Sequence, residues 1–170
     1  MNKRLIILLL MLNLAIGRSF AQLPEIDQWW VTFGIGNAFQ GFSNNLKGVN
    51  MFGDINIHAG NYYYQLGLDD SGTPARSDKT MGVVHFDLGQ TIINDYYMVN
   101  GFYGLGIMNY SYADPQQKQH NVTTIGINLN AQLIVKPFDL FGLGIVPYTD
   151  LRWHHSITGL RICIMLGDGI

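Results

Sequence analysis

Between Ile125 and Val135 every second residue is apolar: Ile125, Ile127, Leu129, Ala131, Leu133 and Val135. Thr124, Gly126, Asn128, Asn130 and Gln132 alternate with them and are polar but uncharged, or small. A period of two puts these sets on opposite faces of a β-strand. Past Ala21 the chain has no apolar run approaching the roughly 18 residues a membrane helix needs, so its apolar character must be carried by strands.

The same alternation recurs seven more times. Trp29, Val31, Phe33 and Ile35 oppose Trp30, Thr32, Gly34 and Gly36. Met51, Ile55 and Ile57 oppose Asn50, Phe52, Asp54, Asn56 and His58, and then Tyr62, Tyr64, Leu66 and Leu68 oppose Tyr63, Gln65 and Gly67. Val84, Phe86, Leu88 and Ile92 alternate with His85, Asp87, Gly89 and Thr91, and Tyr97, Val99, Tyr103, Leu105 and Ile107 alternate with Met98, Asn100, Phe102, Gly104 and Gly106. Phe141, Leu143 and Ile145 oppose Gly142, Gly144 and Tyr148, and Leu160, Ile162, Ile164 and Leu166 oppose Gly159, Arg161, Cys163 and Met165. No apolar row contains Asp, Glu, Lys or Arg, whereas Asp54, Asp87 and Arg161 sit mid-strand on the other faces. Only 13% of the chain is charged, against roughly 25% in a typical soluble domain. Uncharged rows of this length suit acyl chains, so the apolar faces are expected outside and the polar ones inside.

The connections agree. Those after strands one, three and five are long and polar (Gln40 to Gly48, Asp69 to Thr80, Ala113 to Asn121), and those after strands two, four and six are short (Ala59-Gly60-Asn61, Asn94-Asp95, Lys136-Pro137-Phe138-Asp139). Short periplasmic turns and longer outer loops are the pattern of a bacterial outer-membrane barrel. Trp29, Tyr62, Tyr97 and Phe141 would form one aromatic girdle, and Phe39, Tyr110, Tyr112 and Trp153 the other. The sequence predicts an all-β, eight-stranded antiparallel up-and-down transmembrane β-barrel over residues 22–170.

Residues 1–21 read as a secretory signal peptide: Lys3 and Arg4, an apolar stretch from Leu5 to Ile16, then Ser19-Phe20-Ala21 with small residues at −3 and −1 of a cut. Three of the ten basic residues fall here, leaving the remainder acidic, which argues against nucleic acid as a partner. Cys163 is the only cysteine, so no intramolecular disulfide forms.

With these rows and connections, nearly the whole mature chain resembles the small eight-stranded outer-membrane barrel proteins of Gram-negative bacteria. The final residues, Leu166 to Ile170, lack the terminal aromatic usual in that class. The resemblance implies an outer-membrane location, contact with outer-membrane lipids and lipopolysaccharide, passage through the barrel insertion machinery and a monomeric state.

On this reading Asp54, His58, His85, Asp87 and Arg161 point inward and form a polar interior network, since buried charges need partners. His58, His85 and a carboxylate offer metal-ligand types, but no metal and no cofactor is assigned. Side chains can just fill an eight-stranded barrel, so a porin-like conducting channel is not expected. Asp69-Asp70-Ser71-Gly72 reads as a solvated turn. His154 and Ser156, in Trp153-His154-His155-Ser156, look like the His-x-Ser pair of outer-membrane lipid A deacylases, although Ile157 stands where that family has Asn. The function expected is a non-enzymatic outer-membrane barrel with a structural or loop-mediated role. The alternatives are a lipid A-modifying acyl hydrolase, with His154 and Ser156 catalytic, and a soluble lipocalin-like carrier.

Overall fold

The computed structural model describes residues 26–40, 48–73, 76–113, 116, 118–152 and 156–168. The leader read over residues 1–21 lies outside them. Eight strands follow one another: β1 (Ile26–Gln40), β2 (Gly48–Ala59), β3 (Tyr62–Thr73), β4 (Arg76–Ile93), β5 (Tyr97–Ala113), β6 (Gln119–Phe138), β7 (Phe141–Leu151) and β8 (Ile157–Asp168). Each pairs antiparallel with its neighbours in sequence, and β1 closes on β8 from Trp29↔Asp168 to Gln40↔Ile157, so no strand edge is left along that seam.

The short turns have a local cause. Gly60 takes φ 64° in the two-residue link between β2 and β3, the left-handed backbone that tight hairpin turns need. Between β4 and β5, the Asn94 side-chain oxygen accepts from the Tyr96 amide at 3.0 Å, while the Asn94 amide donates to the Tyr97 carbonyl at 2.9 Å.

The strand faces are sorted as a lipid-facing barrel requires. Phe33, Ile35, Ile55, Leu66, Phe86, Leu105, Ile127, Leu143 and Ile162 are exposed on the outside, whereas Thr32, Asn56, Gln65, Asp87, Asn100 and Gln132 inside have no exposed surface. This overturns the lipocalin-like alternative, which needs the apolar rows to enclose a cavity. Trp29, Tyr62 and Tyr97 are exposed at the end with the short turns, beside Tyr96 and Phe138.

Three local expectations are corrected. The connection expected from Asp69 to Thr80 is mostly strand: β3 and β4 pair up to Gly72↔Thr80 and Thr73↔Arg76, so Asp69 is buried inside instead of solvated in a turn. Tyr110 points inward against Met81, Val83 and Met108 and is not part of an outer girdle. Lys136, expected in a turn, lies in β6 with its side chain buried.

The interior is layered. Trp30, Met98, Ile134 and Met165 pack together toward the short turns, joined by Phe52, Phe102, Val146 and Cys163. Ala38, Met81, Val83, Met108, Tyr110, Tyr148 and Ile157 pack toward the long loops. Polar side chains occupy the levels between, as along β4, where His85 and Asp87 follow Met81 and Val83, and along β6, where Asn128, Asn130 and Gln132 precede Ile134.

Candidate functional site: the polar interior

Several strands contribute to one connected polar cluster. His85 Nδ1 lies 2.8 Å from Asp87 Oδ2. The same carboxylate oxygen accepts from Asn130 Nδ2 at 3.3 Å, and Asn130 also donates to Gln65 Oε1 at 2.7 Å and Asn128 Oδ1 at 3.0 Å. Asp54 Oδ2 accepts from Thr32 Oγ1 at 3.3 Å, Gln65 Nε2 at 3.3 Å and Gln132 Nε2 at 3.4 Å. Asn100 donates to Gln132 Oε1 at 2.9 Å. Buried polar groups need such partners because nothing else replaces the water they have left.

Two arginines anchor the cluster toward the long loops. Arg161 Nη2 donates to Asp69 Oδ2 at 2.7 Å, and its guanidinium lies 3.4 Å from the Tyr148 ring centroid and 4.6 Å from that of Phe52. A guanidinium between two rings is held by their negative faces as well as by its ion pair. Glycines make the room: a Cβ at Gly159 would strike the Tyr148 ring, and one at Gly36 would strike β8 backbone atoms at Leu160 and Arg161. Arg152 sits at the top of β7, where its Nη2 donates to Asp150 Oδ1 at 3.3 Å. Its Nη1 donates to the Gly106 and Thr124 carbonyls at 2.8 and 3.1 Å. Pairing of β6 with β7 begins only at Ile127↔Leu151, so Arg152 caps backbone that β7 does not reach.

Of the residues singled out from the sequence, Asp54, His85, Asp87 and Arg161 meet in this cluster. His58 does not. It lies four positions nearer the short turn than Asp54, stacked on Tyr63 at 4.3 Å and 3.4 Å from Asp27, so His58 and His85 belong to different levels of the barrel. Sequence reasoning missed Asp69, Asp150 and Arg152. The first two continue the inward parity of Tyr63, Gln65 and Gly67 on β3 and of Gly142, Gly144 and Tyr148 on β7.

The other sequence candidate lies in the connection from β7 to β8. His154 is outside the described residues. The Ser156 hydroxyl donates to the Arg152 carbonyl at 2.8 Å and accepts from the Arg152 amide at 2.9 Å, so both its hydrogen-bonding roles are taken by the backbone of its own loop.

No protein-family model matches the sequence, and no curated protein does. Solved structures do. Neisserial surface protein A superposes with a TM-score of 0.63 at 9% identity, over 82% of this chain and 95% of that one. The N-terminal barrel domain of Pseudomonas aeruginosa OprF gives 0.64 at 9% identity, over 84% and 99%. Ail, the attachment invasion locus protein of Yersinia pestis, gives 0.56 at 11% identity, again over 84% and 99%. Identities this low carry the fold, and the fold covers most of each chain. This chain therefore has the fold of the small eight-stranded outer-membrane β-barrels.

Proposed function

We propose that the protein is a non-enzymatic barrel of the Gram-negative outer membrane, exported by its leader and working through its cell-surface end. One observation carries this reading: Gln65, Asp87, Asn100, Gln132 and Asp150 have no exposed surface, so water does not reach the middle of the bore. A transport path or a substrate pocket there would need wetted polar groups. The partners expected are outer-membrane lipids, lipopolysaccharide and whatever meets the connections that follow β1 and β5. Ail, whose fold this chain shares, has been solved in complex with the heparin analogue sucrose octasulfate, a precedent for ligand binding by a barrel of this fold.

Two assays test the proposal on purified, folded protein. In planar bilayers it should give no steps of discrete conductance, and incubation with lipopolysaccharide should leave the mass of lipid A unchanged. Sustained single-channel openings would reject the sealed barrel. Loss of an acyl chain that disappears in Ser156→Ala would establish the hydrolase instead. Engagement of Ser156 by the Arg152 backbone weighs against that result, because an attacking hydroxyl needs a base within reach.

A further inference from the structure

Three buried atoms on β2, β3 and β4 face one another without a hydrogen-bond partner: Asp54 Oδ1, Asp69 Oδ1 and His85 Nε2. In each case the other atom of the group is engaged. Asp54 Oδ2 accepts three hydrogen bonds, Asp69 Oδ2 holds Arg161, and His85 Nδ1 is fixed by Asp87. The free lone pairs are therefore oriented by their surroundings toward a common point.

The spacing distinguishes what that point suits. His85 Nε2 is 3.7 Å from Asp54 Oδ1 and 4.0 Å from Asp69 Oδ1, and all three atoms lie within 4.8 Å of one another. A proton on Nε2 would have no acceptor at hydrogen-bond distance, which ends near 3.2 Å. Oxygen and nitrogen ligands of a tetrahedral zinc stand roughly 3.4 Å apart, so closing around an ion needs side-chain shifts of only some tenths of an ångström. Gly67 lies across from His85, and a Cβ there would occupy the space of His85 Nε2 and Asp54 Oδ1.

Charge points the same way. Asp54, Asp69, Asp87 and Asp150 are buried against the two guanidiniums of Arg152 and Arg161. Lys136 is buried beyond the level of Ile134, and its ammonium makes no hydrogen bond. A doubly charged ion beside a neutral imidazole would balance the four carboxylates. The contact from Asp87 to His85 Nδ1 matches the carboxylate-histidine-metal relay that fixes the tautomer and aims Nε2 at an ion.

We propose that Asp54, Asp69 and His85 bind one divalent transition-metal cation inside the barrel, with Asp87 as the positioning residue. One imidazole with two carboxylates suits zinc or manganese, whereas calcium and magnesium prefer oxygen alone. Among the described residues the three ligands are almost wholly buried, at 2–4% exposure, so the ion is expected to enter while the barrel closes.

The test follows from that route. The protein is refolded from denaturant into detergent micelles with zinc, with manganese or with EDTA, then passed over chelating resin. Folding is read from the gel shift between unheated and boiled samples, and metal from elemental mass spectrometry. About one zinc or manganese ion per folded chain is expected, with a higher unfolding temperature than for the EDTA sample. Refolding with Co²⁺ should give the visible absorption of a nitrogen- and oxygen-liganded ion. His85→Gln and Asp69→Asn should fold and lose the metal, and Asp87→Asn should keep it with affinity lowered by about 10- to 100-fold. A wild-type barrel that folds equally well in EDTA and retains less than about a tenth of an ion per chain overturns the proposal. So does metal retained undiminished in folded His85→Gln. Should the variants fail to fold, the wild-type comparison still decides.

Discussion

Two faces of β6 make opposite use of one backbone. Ile125, Ile127, Leu133 and Val135 are exposed, while Asn128 and Gln132, which alternate with them, are buried and hydrogen-bonded. In a water-soluble strand these assignments would be reversed. The outer face needs only to be apolar, because acyl chains are as hydrophobic as leucine and reward no particular fit. The inner face has the stricter task, since each polar atom there must find its partner within the barrel. Substitutions should therefore be tolerated outside according to polarity, and inside according to whether a partner is left behind.

The largest effect is expected where a charge is stranded. Arg161→Met leaves the Asp69 carboxylate buried without its cation and should destabilise the folded barrel by about 3–5 kcal/mol, read from urea titrations of the heat-modifiable band. In metal-free barrel, refolded with EDTA, adding Asp69→Leu should recover most of that loss, because neither a buried cation nor its carboxylate is then left unpaired. A double variant no better than the single one would mean that the aromatic stacking of Arg161 on Tyr148 outweighs its ion pair.

Outside, Ile127→Arg puts a charge among acyl chains and should cost about 2–4 kcal/mol if the residue lies near the bilayer midplane. Ile127→Leu at the same position should fall within about 0.5 kcal/mol of wild type, separating polarity from shape. The smallest informative change is Ser156→Ala. It removes a loop clasp whose hydrogen bonds contribute about 0.5–1.5 kcal/mol, and should lower stability by no more than that.

Within the bilayer the fold was legible because lipid makes alternation obligatory: each outward position must be apolar, so parity can be read from Phe33 or Leu129 without ambiguity. Above the bilayer that pressure ends. Asp70, Thr80, Asn109 and Thr123 are exposed residues of strands, yet their polarity resembles that of loops. This is why Asp69 was expected in a solvated turn although it holds Arg161 inside. Parity counted onward from Gln65 and Gly67 would have placed it. Asp150 was hidden similarly, by Pro147 on the outer face and by a strand that ends soon afterwards. For the interior, parity identified Asp54, His85 and Asp87 as inward but could not give their heights. His58 shares their face and still sits at another level.

The account stands on which face of the strands meets lipid. Nitroxide labels placed singly at positions 125, 127, 129 and 133 of a Cys163→Ala barrel in phospholipid vesicles test this directly. Each label should collide readily with oxygen, which concentrates in acyl chains, and rarely with a water-soluble nickel complex. Preferential collision with nickel along the whole row would put these side chains in water and contradict the account.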